Sequence, residues 1–492
     1  MVTGIILAEL APAVAMNYLE SLAYIESLSP TLERPSLTRI AAFTAEHGNL
    51  QNRCPVFHIG GTNGKGSTAA VLDALLQAAG LAVGRFTGPH LLRWNERFHV
   101  NGVPITDSDF AALATRVREL SHDFAERHAD LGALTWFEFL AAMAFIWFDQ
   151  NSVDAAVFEV GLGGRFDATN VIGNVVCCAV TNVDLDHTHI LGDTVEEIAF
   201  EKAGIFKDGV PALTAAVDPA LTQLQERAWK ANSPFFRCEL PARLFETKYG
   251  AAAAAEIVDP LWQSISSAFV GAGASLNLLG RHQHLNALVA VASLYLAARK
   301  SQFWTAVLRE RLLSKDERGR PALELAFSKV YWPGRLQLVD ELNIVLDGAH
   351  NPAGARILRQ ALDELFPDRS LIFVISCFAN KNAVSMLSAL VRGADAVFIS
   401  EAATRRATCS KEELAAIARD LGARAEVFNT IAQALEAAIQ SRETNQPIVA
   451  TGSFATVKEA MSFVGWQSVE DGCGGCVKIS DGVSAGNAAR RG

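Results

Sequence analysis

From residue 50 onward the hydrophobic and polar positions repeat as a short apolar run, a glycine-bearing turn and a stretch with helical period. Residues 56–59 form an apolar strand, and 67–80 (STAAVLDALLQAAG) read as a helix opened by Ser67 and Thr68 and closed by Gly80. Segments 154–160, 175–182 and 211–216 are almost continuously apolar, as strands buried on both faces of a parallel sheet are. After Trp332 the rhythm restarts. Strands at 344–346, 371–375, 396–399, 425–428 and 448–451 alternate with helices at 353–365, 383–392, 411–421, 432–440 and 455–464. Such β-α alternation predicts a second doubly wound sheet. The expected division is an N-terminal domain at 16–328, a C-terminal domain at 329–466 and an aperiodic Gly/Ser/Asp-rich tail at 467–492. The charged stretch 314–321 is the expected linker, and residues 1–15 precede the first amphipathic pattern as an extension.

Length and composition agree with two globular domains. The chain has 492 residues, half of them hydrophobic and 20% charged. Its formal net charge of -10 argues against a broad nucleic-acid-binding face. Every apolar run is broken before the roughly 20 residues a membrane span needs. The apolar N-terminus lacks the basic region of a signal peptide, so a cytoplasmic location is expected. Eight cysteines are too few for a disulfide scaffold in so long a chain. Cys177 and Cys178 sit in a strand-like run and read as small buried hydrophobes. Cys473 and Cys476 have metal-ligand spacing but no second pair or histidine to complete a site.

The sharpest signal is Gly60-Gly61-Thr62-Asn63-Gly64-Lys65-Gly66-Ser67, between a strand and a helix. Glycines let the backbone approach an oxyanion, successive N–H groups point inward, and the helix N-terminus adds positive potential. Lys65 supplies a mobile cation. Ile59 stands where the common phosphate-loop pattern has its leading glycine, and Gly66 intervenes between Lys65 and Ser67. The bland alternative is a solvent loop before a helix; the context favours a nucleoside triphosphate.

Other positions are ambiguous alone. Glu159 ends an apolar strand, where open α/β sheets place ligands, and calls for a metal or an arginine partner. Taken alone, His187 reads more readily as a structural histidine and Lys202 as a solvated helix residue. Thr135-Trp136-Phe137-Glu138 has the spacing of a capping box. Asp347 and Arg335 read as a turn carboxylate and a surface arginine.

These segments occur together with Gly88-Pro89-His90, with Gly161 to Asn170, and with Asp186-His187. Glu201 to Ile205, His282-Gln283 with Asn286-Ala287, Trp332 to Arg335, Leu346 to Pro352, and Thr451 to Ser453 follow in order. In this ordered set the chain resembles the folylpolyglutamate synthase/dihydrofolate synthase family, relatives of the Mur ligases, from about residue 16 to 464. The resemblance implies an α/β protein of two domains, an N-terminal P-loop ATPase-like parallel-sheet domain and a smaller Rossmann-like doubly wound domain. It implies an ATP- and Mg²⁺-dependent ligase joining L-glutamate to dihydropteroate, to tetrahydrofolate and to its polyglutamates. Glu159, His187 and a carbamylated Lys202 would ligate the metal. Gly88 stands where the family usually has a ligating Ser, so Ser67, Thr87 or water would complete the shell. Thr135, Trp136, Phe137 and Glu138, with Phe166, Asp167 and Ala168, would bind the pterin substrate, and Asp167 would orient or deprotonate the incoming amine. Thr62, Asn63, Gly64, Lys65, Gly66 and Ser67, with Asn286, Arg335, Asp347 and His350, would bind ATP. A monomer is implied. Ser400, Arg405 and Arg406 fall in a region suited to free glutamate, in too loose a pattern to assign. The competing expectations are another Mur-type amide ligase, a non-catalytic nucleotide-binding module and a kinase.

Overall fold

The structure, a computed structural model, describes residues 15–29, 36–247, 254–379, 381–404 and 406–466. The extension before residue 15, Arg405, the Cys473/Cys476 pair and the tail at 467–492 lie outside the described residues.

Strand Val56–Gly60 is the centre of a ten-stranded sheet, and all five of its residues are buried. It pairs in parallel with Ala155–Glu159 on one side and Val175–Val180 on the other. Val83–Phe86 continues the parallel run beyond the first, and Ala212–Thr214 and Phe235–Glu239 continue it beyond the second. Antiparallel strands finish both edges. Side chains alternate across the sheet. Phe57, Val157 and Cys177 enter a core with helices Lys65–Ala78 and Arg281–Ala298, while Val56, Phe158 and Cys178 enter the core beneath Trp136–Gln150. Two-sided burial therefore explains both the unbroken apolar runs and the adjacent cysteines, each facing a different core.

The second sheet has six strands in the order Gln337–Val339, Ile344–Leu346, Ile448–Thr451, Ile372–Ile375, Ala396–Ile399, Arg424–Val427. Only the first pair is antiparallel. The helices between them follow the expected alternation, beginning with Pro352–Leu365. Strand Val83–Phe86 escapes the apolar pattern because Arg85 lies in it. That guanidinium is buried against Asp73 of helix Lys65–Ala78 at 3.4 Å and lies over the Trp332 ring.

The expected linker at 314–321 is corrected. Lys315 and Pro321 bridge each other across a turn, and helix Ala322–Lys329 then packs Leu323, Ala326 and Phe327 into the same core as Tyr295. Val330 still belongs to that core and Leu336 already belongs to the core of the second sheet. Charge in 314–321 marks a surface turn. The crossing itself is apolar, because Tyr331 and Trp332 are half-buried as they pass.

Helix Pro352–Leu365 is anchored by a buried ion pair. Arg359 Nη1 donates to Asp395 Oδ2 at 3.0 Å, and Asp395 also accepts from the backbone N–H groups of Leu371 and Arg392 at 2.9 and 2.8 Å. Asp395→Ala would strand two buried amides and Nη1 of Arg359, which keeps its pairing with Asp363, lowering stability by about 1–3 kcal/mol. Urea denaturation followed by circular dichroism checks this, and a loss below about 1 kcal/mol contradicts the anchoring role.

Candidate active site

The carboxyl ends of both parallel sheets face one cavity of about 690 Å³. Every residue proposed from sequence as part of a site lines it: the phosphate loop, Gly88, Thr135 to Glu138, Glu159, Phe166 to Ala168, His187, Lys202, Asn286, Arg335, Asp347 and His350. Thr62 and His350, the first and last of these, lie 288 positions apart in the sequence.

The phosphate loop is pinned to the neighbouring strand. Thr62 N donates to Asn182 O at 2.9 Å, Asn63 N to Asn182 Oδ1 at 2.8 Å, and Thr181 Oγ1 to Asn63 O at 2.6 Å. Gly61 (φ +138°) and Gly64 (φ +83°) hold left-handed backbone, and a Cβ there would strike Thr181 Oγ1 or Asn286 Oδ1. The helix begins at Lys65, so Gly66, out of place in the common pattern, lies in its first turn. Its absent side chain has a reason: a Cβ would lie 2.5 Å from Trp332 Cζ2, on the segment crossing to the second sheet. Lys65 Nζ donates to Thr62 O at 3.1 Å and lies 3.9 Å from Glu159 Oε1.

Glu159 is buried, and its Oε2 accepts from Gly88 N at 3.1 Å. Burial raises its pKa, although Lys65, Gly88, Arg335 and Arg97 all favour the anion. His187, in left-handed backbone (φ +50°), has its pKa lowered to about 4 by burial and then by neighbouring cations, leaving a neutral imidazole. Lys202 ends helix Val195–Lys202, and its Nζ donates to Gly61 O at 2.9 Å. Burial, then Lys65, lowers its pKa to about 7.

As donors for a hard divalent cation, the Glu159 carboxylate and the neutral His187 imidazole fit as they stand. Lys202 fits only once its nitrogen carries an anionic group, and its low pKa makes the reactive free amine available. Among the described residues, the three-donor grouping of acidic and imidazole side chains is His122, Asp123 and Glu126, on helix Asp107–Arg127 and outside the cavity.

On the opposite wall the capping box at Thr135 is formed, with Thr135 N donating to Glu138 Oε2 at 2.8 Å. Arg39 pairs with the same carboxylate at 3.1 Å, while Glu138 Oε1 is buried without a partner. Phe137 lies against Gly161, where a Cβ would come within 2.3 Å of the ring. Asp167 is held within its own loop. Its Oδ2 accepts from Gly161 N and Leu162 N at 3.0 Å each, and its Oδ1 from Thr169. Both oxygens thus hold the loop from Gly161 to Thr169 in the arrangement seen here.

The second sheet contributes Asp347, whose oxygens accept from Leu336 N and Ala349 N at 2.7 and 2.8 Å. Arg335 lies over the Phe454 ring. His350 Nε2 stands 3.5 Å from Asp186 Oδ2. Asp186 is also paired with Lys381 and accepts from Asn351 Nδ2 at 2.9 Å. Burial alone would raise its pKa, but His350 and Lys381 hold it well below the usual carboxylate range. Asn351 and Asn63 bond each other across the cleft as well.

Comparison with known proteins now decides the lineage. The Mur ligase middle domain matches residues 138–294, and the Mur ligase glutamate ligase domain matches 334–454. The dihydrofolate synthase/folylpolyglutamate synthase of Bacillus subtilis is 34% identical over 385 residues, covering 77% of this chain and 84% of that one. The chain belongs to the folylpolyglutamate synthase/dihydrofolate synthase family. It is an ATP-dependent ligase. Among solved structures, Mycobacterium tuberculosis folylpolyglutamate synthase complexed with ADP is 29% identical with a TM-score of 0.73, covering 90% of this chain and 97% of that one. E. coli FolC in complex with DHPP and ADP is 26% identical with a TM-score of 0.71, at 92% and 98% coverage.

In this member of the family, sequence reasoning overlooked Asp186, Lys381, Asn351 and Arg97 as cavity or cleft residues. Asp186 was legible only as the neighbour of His187. Lys381 and Asn351 acquire meaning only when the sheets face each other. Of the loosely placed trio, Ser400 is fully buried and Arg406 lines the cavity. Among the described residues no helix is long and apolar enough to cross a membrane.

Gly66→Ala should cost about 1–3 kcal/mol of nucleotide affinity or stability by overpacking against Trp332. ADP calorimetry on the single variant and on Gly66→Ala/Trp332→Leu checks it, with affinity recovered in the pair. Unchanged affinity in the single variant would show that the indole yields freely.

Proposed function

We propose that this chain joins L-glutamate to dihydropteroate, to the γ-carboxyl of reduced folates, or to both, through an acyl phosphate. The observation that carries the reading is that one cavity is lined by the phosphate loop, by Trp136 and Phe137, and by Glu159, His187 and Lys202. A carboxylate oxygen of the acceptor attacks the γ-phosphorus of ATP. The new O–P bond forms as the bond to the β–γ bridging oxygen breaks, and ADP departs with that electron pair. Lys65 and Arg335 offset charge on the transferring phosphoryl. The glutamate amine then attacks the acyl carbon, phosphate leaves with the C–O electrons, and the nitrogen loses a proton. Closure of two sheets over this space keeps water from the anhydride. One chain supplies both walls, so a monomer suffices.

Glu159, His187 and carbamylated Lys202 would hold Mg²⁺, which when bound supplies Lewis-acid stabilisation of phosphate oxygens. Carbamylation forms a bond from the neutral Lys202 amine to the carbon of CO₂ and releases one N–H proton. It exchanges a cation for an anionic oxygen donor.

Purified protein with ATP, Mg²⁺ and glutamate, offered dihydropteroate and tetrahydrofolate separately, tests the reading by glutamate-dependent phosphate release. ATP binding without turnover on either acceptor would favour a nucleotide-binding module and overturn it. Lys202→Ala should lower turnover at least about a hundred-fold while remaining folded, without rescue by bicarbonate. The lysine amine is protonated below its pKa and reactive above it. Restoration of decarbamylated enzyme by bicarbonate should therefore rise as pH passes through about 7, rather than near the ~10.4 of an ordinary lysine. A ¹³C carbamate resonance after labelled bicarbonate, absent in Lys202→Ala, gives a readout independent of turnover.

A further inference from the structure

Arg97 closes the turn Trp94–Arg97 and lines the cavity, yet nothing above gives it a role. Its placement is rigid. Glu96 accepts from the N–H groups of Leu91, Leu92 and Arg93 at 2.6–2.8 Å, and Arg97 O accepts from Thr87 N at 3.1 Å. The guanidinium is nearly buried, packed over the Trp94 and Trp136 rings with its carbon 5.3 and 5.4 Å from their centroids. Nε donates to His90 Nδ1 at 3.0 Å. Among the described residues, neither Nη1 nor Nη2 has an acceptor, and no carboxylate lies within 4.0 Å of the group. Glu159 and Glu96 act on it only at longer range, and a desolvated guanidinium with two open donors is costly unless an anion arrives.

Where those donors sit narrows the anion. A Cβ on Gly88 would lie 2.6 Å from Nη1, so the guanidinium occupies space that any other residue at 88 would fill. Gly88 N donates to Glu159, and Glu159 faces Lys65. The order across the cavity is thus indole wall, Arg97, Gly88, Glu159, phosphate loop. Arg97 belongs to the aromatic side, at the seam where a flat acceptor ends and a nucleotide tail begins. A planar fork matches a carboxylate with two parallel hydrogen bonds.

We propose that Arg97 anchors the reacting carboxylate of the acceptor acid, with Gly88 retained to make room for its Nη1. This rests on the ligase reading above. Arg97 stays protonated throughout: it orients the attacking oxygen and takes no proton. It is a specificity-determining residue, because an acceptor without the anion leaves the guanidinium unpaired.

The test uses ADP-saturated full-length enzyme titrated with a pteroate acceptor and with its carboxamide counterpart, followed by indole fluorescence and calorimetry. Wild type should prefer the acid. In Arg97→Gln and Arg97→Lys the acid should bind about ten- to a hundred-fold more weakly, with carboxamide and ADP affinities at the wild-type level. Gly88→Ala, which keeps the arginine but displaces Nη1, should show the same selective loss and decides the matter if the Arg97 variants do not fold. Equal weakening of acid and carboxamide would overturn the anchor, because it reports collapse of the aromatic wall. Loss confined to ADP would overturn it by assigning the guanidinium to the nucleotide. A wild type that binds neither acceptor overturns the folate reading itself, and the anchor with it.

Discussion

Charge of both signs gathered in a poorly hydrated space is the constraint on which the rest of this structure depends. Lys65, Lys202, Arg97 and Arg335 all face the cavity, together with the buried carboxylates Glu138, Glu159, Asp167 and Asp347. Like charges held together without solvent repel strongly. Lys202 answers by a depressed pKa and Arg97 by lying over two indoles. Cations held in such a space suit an anionic ligand. The scaffold tolerates them because they stand at the ends of deeply buried strands and helices whose cores lie elsewhere.

Close approach is the second requirement, and it is met by missing side chains. Gly61, Gly64 and Gly66 each lie against a different neighbour, namely Thr181, Asn286 and Trp332. Those neighbours come from three distant parts of the sequence. The phosphate loop is therefore shaped less by its own residues than by what packs on it. This explains why its spacing departs from the commoner pattern without loss of the strand–loop–helix frame.

The same distinction separates what could be read from sequence from what could not. The parallel strands were visible because two-sided burial leaves unbroken apolar runs, and the second sheet because its alternation is regular. The site residues were visible where local motif and strand end coincide, as at Lys65, Glu159 and Asp347. Arg85 hid a strand, since its buried partner Asp73 lies on another element. Asp186 and Lys381 pair across 195 positions, a relation that periodicity does not encode. The loop amides that surround Asp167 are likewise not legible in sequence, because they meet it only where the chain turns back on itself. Charged residues in 314–321 looked like a linker because a solvated turn and a domain boundary share one composition.

Asn351 carries a consequence of its own. Its Oδ1 receives the Gly354 N–H as the cap of helix Pro352–Leu365 and also an Asn63 side-chain N–H from across the cleft, while its Nδ2 reaches Asp186 and Asn63 there. One amide thus terminates a helix and spans the gap between two bodies. Parting them frees the spanning half but leaves the capping half engaged, so the side chain is already oriented when the halves meet again. Re-engagement then requires no search among rotamers at that position, and the entropy of ordering the crossing contact has been met in advance by the fold.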